Sequence, residues 1–218
     1  MSRQILSTLI GKTVKQAARL RGGGSALPGL VIEKIDPGFI ARTLAQIPHG
    51  VVVISGTNGK TTTTKIVVEL LEAAGLKVFT NRTGSNFSRG VAAALLGEVD
   101  MRGRLDADIA VLELDEAWAV KFVQLVPPRY SLLLNVMRDQ LDRFGEIDTA
   151  AGFLAKIAQA TTDTVVLNRD DPRIYHLHQQ TAANVAFFGT TDQLLELMPT
   201  DDALKTGQAQ ANQTAPTD

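Results

Sequence analysis

The stretch Gly56-Thr57-Asn58-Gly59-Lys60-Thr61-Thr62 has the residue types and spacing to handle a phosphate. Its two glycines let the backbone fold tightly around an anion, and amides that open a following helix point at that anion. Lys60 supplies a cation for the terminal phosphates of a nucleotide, and the Thr61 hydroxyl is a ligand for Mg²⁺. The usual phosphate loop has four residues between its glycines. Here Ile54 stands where the first glycine would be, which leaves the shorter Gly-x-x-Gly-Lys-Thr form. Gly56 through Thr62 are therefore the expected nucleotide-binding residues, with Lys60 also catalytic. A magnesium shell needs a carboxylate from the end of another strand. Glu113 follows the apolar run 109–112 and is expected to fill that role as catalytic and metal-binding residue. Asp115 and Glu116 lie just beyond, and for them helix capping and chemistry both stay open.

Other polar residues carry less. His49, His176 and His178 are too scattered for a metal site and read as surface histidines, the last two falling on different sides of a helix. Trp118, with Phe122 and Leu125 at helical spacing, reads as core packing. Asp139 and Asp142, between Arg138 and Arg143, are either a solvated charge cluster or a loop facing the site. Asn168, Asp170, Asp171 and Pro172 make a strand-to-helix turn by composition alone.

The elements that must position these groups follow from periodicity. Residues 51–55 form a short continuous apolar run, the pattern of a strand buried on both faces. Residues 61–74 show helical spacing, with Gly75 as the stop. Strands are expected at 76–79, 109–112, 130–134, 164–167 and 184–188, and helices at 88–96 (ended by Gly97), 117–126, 148–160 and 172–178. Ahead of them, 22–28 reads as a loop and 40–47 as a short helix. The alternation predicts an α/β fold, a parallel sheet with helices on both faces and right-handed crossovers. In such a sheet ligands sit at the carboxyl ends of the strands, so the polar residues that follow each strand are where a site belongs.

Composition bounds the function. Hydrophobic residues are 44% of the 218, enough for a sizeable core, and 22 basic against 23 acidic residues leave a net charge of −1. That balance argues against a nucleic-acid binder. The absence of cysteine excludes a disulfide, a cysteine nucleophile or a thiolate zinc site within this stretch. No apolar run approaches a membrane span, so a soluble, cytoplasmic protein is expected. Arg3, Lys12, Lys15, Arg19 and Arg21 precede the first acidic residue, Glu33, on an amphipathic pattern. Two readings stay open: a helix packed on the domain, or one that touches an anionic membrane surface. The division expected is a helical lead-in over 1–48, a nucleotide-binding domain over 49–190 and a polar tail or linker over 191–218.

Taken together, GTNGKTTTTK, NRTGSN at 81–86, ELDEA at 113–117, NVMRDQLDRFGE at 135–146 and LNRDDP at 167–172 resemble the Mur ligase superfamily. Within it they are most similar to the MurT branch, the ligase-like subunits of lipid II isoglutaminyl synthase. The likeness implies a P-loop Mur ligase central domain, incomplete in this stretch. It implies ATP held by Lys60 and the amides of Thr57 to Thr62, and Mg²⁺ held by Thr61 and Glu113. The reaction it implies is phosphorylation of the D-glutamate α-carboxylate of lipid II and displacement of phosphate by ammonia from a GatD-type glutaminase. Gln140 stands where many relatives have a metal-binding histidine, and their modified lysine position falls near Ala155, with Lys156 one place off. A second metal site would then lack its usual ligands. A zinc ribbon and a C-terminal domain, which the likeness implies downstream, are outside these residues, so this stretch alone is expected to be catalytically incomplete. Rivals are another Mur-like amide ligase, such as an amino-acid-adding or folylpolyglutamate synthase-like enzyme, or a non-catalytic nucleotide-binding fragment.

Overall fold

A computed structural model describes residues 3–20, 26–81, 88–137 and 146–191. Three helices come first: α1 (Arg3–Leu20), α2 (Ala26–Ile35) and α3 (Phe39–Leu44). The alternating unit follows as β1 (Val51–Ser55), α4 (Lys60–Ala73), β2 (Val78–Thr80), α5 (Ser88–Glu98), β3 (Ile109–Glu113) and α6 (Glu116–Leu125). It continues through β4 (Tyr130–Leu133), α7 (Glu146–Ala160), β5 (Thr164–Asn168), α8 (Pro172–Tyr175), a 3₁₀ turn (His176–Gln180) and β6 (Asn184–Phe188).

The six strands form one parallel sheet in the order β2-β3-β1-β4-β5-β6. Only the first crossover runs toward the β2 edge; the later ones run the other way. Keeping one crossover hand therefore puts α4 on one face and the remaining crossover helices on the other. The packing follows that rule. Val53, Leu112, Leu133 and Val165 face α5, α6 and α7 in the larger core, whereas Val52, Ile54 and Val111 meet Val68 of α4. All five residues of β1 are buried, as its unbroken apolar run predicts. In β4 and β5 fully buried residues alternate with half-buried ones, because α4 does not extend across that half of the sheet.

The amino-terminal basic helix is packed on the domain. Gly11 of α1 lies against Leu96 and Ile32, and the Lys15 ammonium donates to the Ala93 carbonyl at 3.1 Å. Among the described residues no helix is long and apolar enough to cross a membrane.

Several boundaries differ from the sequence reading. The expected loop through Pro28 is helical from Ala26, since proline in a first turn lacks only an N–H that has no partner there anyway. Gly97 does not end α5, which runs to Glu98; a side chain at this position would meet the Lys15 ammonium. The second strand begins two residues later than expected, at Val78. Trp118 is half-buried rather than core, with the Lys121 ammonium 4.5 Å from its ring centre, and Leu125 is 58% exposed. The inner face of α6 is Ala119, Phe122 and Val123. His49 and His176 are exposed, and His178 is half-buried with its Nδ1 2.7 Å from the Tyr175 carbonyl.

Gly29 fixes the approach of α2 to α5, because a Cβ there would collide with the Arg89 carbonyl. Gly29→Ala should lower unfolding stability by roughly 1–3 kcal/mol, the usual cost of overpacking a rigid contact. Urea unfolding checks this, and an unchanged midpoint would mean that the two helices can separate freely.

Candidate functional site

The sheet order reverses direction beside β1, whose neighbours are β3 and β4. At such a point the connections leave to opposite sides and a crevice opens above the carboxyl ends of the strands. The loop 56–59, the segment after Glu113 and the segment after Leu133 all emerge there. Ser55, fully buried, ties β1 to the β3 exit by donating to the Leu114 carbonyl at 2.9 Å.

Gly56 takes φ +144° so that the loop can press against β4; a Cβ would sit 3.0 Å from both the Asn135 nitrogen and the Leu134 Cβ. The Asn135 side chain then holds the loop from both sides. Its Oδ1 accepts from the Asn58 amide at 2.9 Å, and its Nδ2 donates to the Asn58 carbonyl at 3.0 Å. Thr57 N donates to the Asn135 carbonyl and Met137 N to the Thr57 hydroxyl, each at 3.0 Å. Gly59, at φ +82°, begins α4 with no side-chain cap, and the next amide bonded along the helix is Thr63 N to the Gly59 carbonyl. The amides of Lys60, Thr61 and Thr62 therefore precede the first helical acceptor, where positive partial charge favours an anion.

Glu113 reaches the same place from β3. Its Oε1 accepts from the Thr61 hydroxyl at 2.9 Å. Its backbone is held by Asn81, which donates to the Glu113 carbonyl at 2.8 Å and accepts from the Glu113 amide at 3.0 Å. A hydroxyl and a carboxylate at hydrogen-bonding distance are hard oxygen donors that fit Mg²⁺, an ion that takes few protein ligands and fills its shell with phosphates and water. The described residues hold no cluster of three or more His, Asp or Glu side chains able to bind a metal by themselves.

Lys60 turns back on its own loop. Its ammonium donates to the Gly56 carbonyl at 2.6 Å and the Thr57 carbonyl at 3.2 Å, and lies 3.9 Å from both Asp115 Oδ1 and Glu116 Oε2. Asp115 occupies the N-cap position of α6 but makes no side-chain cap bond. Of its two open readings, side-chain capping is thus not realised. Burial holds the Glu116 carboxyl above its usual value and a hydrogen bond with Asp115 adds to this, while its own amide and the Lys60 charge oppose both.

The structure thus brings together Gly56 through Thr62, Glu113, Asp115 and Glu116. Residues 82–86 of the NRTGSN segment lie outside the described residues, as do Asp139, Gln140 and Asp142. Ala155 is buried in the larger core and Lys156 is exposed on α7. Asp171 is structural, accepting from the Arg173 and Ile174 amides of α8 and from Val136 N. Sequence reasoning gave Asn81 and Asn135 no individual role. Both follow strands in a parallel sheet, and that position was the available signal.

The profile of the Mur ligase middle domain matches residues 54–214. This chain belongs to the Mur ligase family. It is 35% identical to the lipid II isoglutaminyl synthase subunit MurT of Staphylococcus aureus strain COL, over 80% of this chain and 39% of that protein. The Streptococcus pneumoniae MurT is 37% identical over 78% of this chain and 37% of its own length. The chain therefore spans about two fifths of the relatives it matches. In fold it is similar to the Thermotoga maritima MurF ligase in complex with ADP, with a TM-score of 0.60 and 23% identity over 74% of this chain and 36% of that one. The α/β sheet of this Mur ligase domain is the shared feature at that distance.

Two outcomes follow from the geometry. Asn135→Ala removes both bonds to Asn58, and should weaken nucleotide binding by about 1–3 kcal/mol while the fold is retained. Titration with Mg-ATP tests this, and parent-like affinity would mean the loop holds its shape unaided. The second concerns Glu116, whose carboxyl keeps its proton to higher pH when folded than when unfolded. Its ionisation therefore opposes folding as pH rises through the unfolded and then the folded value. Glu116→Gln should be more stable than the parent at neutral pH, with the gap closing below the unfolded value. Thermal midpoints measured across pH would show the gap, and a constant difference would exclude this linkage.

Proposed function

We propose that the chain is the nucleotide-binding part of an ATP-dependent carbon–nitrogen ligase of peptidoglycan synthesis. Its reaction is amidation of the D-glutamate α-carboxylate of lipid II. The observation that carries this reading is the likeness to MurT subunits along about four fifths of the chain, with the phosphate loop and its carboxylate inside the matched family domain. The division into a lead-in over 1–48, a nucleotide-binding domain over 49–190 and a tail or linker over 191–218 belongs to the same proposal.

In this reading the amides of Thr57 to Thr62, with Gly56 and Gly59 shaping the loop, hold the ATP phosphates. Lys60 leaves its loop carbonyls to reach the terminal phosphates. Thr61 and Glu113 hold Mg²⁺, which when bound neutralises phosphate charge. Lys60 and Glu113 are the catalytic residues. A carboxylate is a poor electrophile, so phosphorylation gives it a leaving group that ammonia then displaces. What the protein contributes is alignment and charge compensation. Ammonia comes from a GatD-type glutaminase partner. The lipid-linked substrate brings the reaction to the inner membrane surface on the cytoplasmic side.

Lys60→Ala should weaken Mg-ATP binding by about 2 kcal/mol or more, because a charge-assisted hydrogen bond is lost. Glu113→Gln should weaken only metal-dependent binding, and equal affinities in calorimetry would refute both roles. The reaction is tested with the full gene product, a GatD-type glutaminase, glutamine, Mg-ATP and lipid II, read by mass spectrometry. Amidated lipid II is the expected product. Addition of a free amino acid in place of ammonia would establish the amino-acid-adding alternative.

A further inference from the structure

Among the described residues Lys60 has four oxygen neighbours: two loop carbonyls and two carboxylates at the start of α6. Asp115 is placed to cap α6 and its side chain does not do so; among the described residues its ion-pair partner is Lys60, 3.9 Å away. Glu116 is at the same distance, and both Lys60 and Glu116 side chains are only 14% exposed, so water screens this pair weakly. Two carboxylates thus flank Lys60, and a third, Glu113, bonds the hydroxyl of the next residue, Thr61. A bare polyphosphate entering this crevice meets an excess of negative charge and a lysine already engaged.

We infer that Asp115 and Glu116 act as an internal anion that competes with nucleotide phosphate for Lys60 and so makes nucleotide binding depend on the divalent cation. They are specificity-determining residues that select the metal complex over the free nucleotide. Thr61 and Glu113 would hold Mg²⁺, whose charge would offset the carboxylates there, and Lys60 could then exchange its carboxylate partners for phosphate oxygens. Without the cation, repulsion from Glu113, Asp115 and Glu116 adds to the cost of drawing Lys60 away. The inference rests on the nucleotide site proposed above and adds a role for two residues given none there.

The experiment compares ATP binding by calorimetry with excess Mg²⁺ and with EDTA, in the parent, Asp115→Asn, Glu116→Gln and the double variant. The parent should bind the metal complex and lose about tenfold or more in affinity with EDTA. Each single variant should recover part of that loss, and the double variant should bind metal-free ATP about tenfold more tightly than the parent does. The ratio of the two affinities is a readout that a merely structural role would not move, and thermal midpoints without nucleotide confirm folding. Failure of the parent to bind Mg-ATP would overturn the nucleotide site itself. Normal Mg-ATP binding with an unchanged metal-free affinity in the double variant would overturn only the competing-anion role. If both substitutions disrupt the fold, Asp115→Ser and Glu116→Met provide the same charge removal. An unchanged ratio there overturns the inference equally.

Discussion

The geometry of the loop 56–59 depends on β1 being paired along both edges and covered on both faces. A parallel strand cannot be joined to its neighbour by a tight turn, so the chain must leave each strand end and cross a face of the sheet. Because β1 is interior to the sheet, its exit is flanked by those of β3 and β4. Three polar segments are forced into one crevice by backbone pairing alone. The register that places Val53 beside Leu112 and Ser131 also places Gly56 against Asn135 and Glu113 within reach of Thr61.

Two asparagines turn that proximity into a defined geometry. Asn81 and Asn135 each use amide oxygen and nitrogen together on one backbone residue, Glu113 and Asn58 respectively. A side-chain amide is suited to this because it offers a donor and an acceptor in fixed relation, so it can replace a neighbouring strand where the sheet has ended. The loop that would otherwise sample many conformations is pinned without filling the space an anion needs. Positive φ at Gly56 and Gly59 is the backbone cost of that arrangement, and only glycine meets it cheaply.

The electrostatics of the crevice are divided. The opening of α4 presents amides and a lysine that favour an anion, whereas β3 and the start of α6 present three carboxylates. Such an arrangement suits a ligand that is itself mixed in charge, a polyphosphate with its divalent cation. Lys60, on the boundary of that division, bonds its own loop carbonyls, and burial first of all holds the Glu116 carboxyl above its usual value although the Lys60 charge opposes this.

By itself the sequence determined the strands β1 and β6 to the residue, the loop between β1 and α4, and the family, because those depend on local apolar runs and on side-chain types at fixed spacing. It also pointed to Glu113 through its place at a strand end. Tertiary structure decided the close approach of α2 to α5 at Gly29, the passage of α5 through Gly97 and the half-exposed position of Trp118. At Gly29 the deciding group is the Arg89 carbonyl of α5 and at Gly97 the Lys15 ammonium of α1, while in α6 the larger core takes Ala119, Phe122 and Val123 and leaves the indole at its edge. The clamps of Asn81 and Asn135 belong to the same class. They join residues 32 and 77 positions apart, and no local pattern in the chain encodes a contact whose geometry exists only once the parallel sheet has formed.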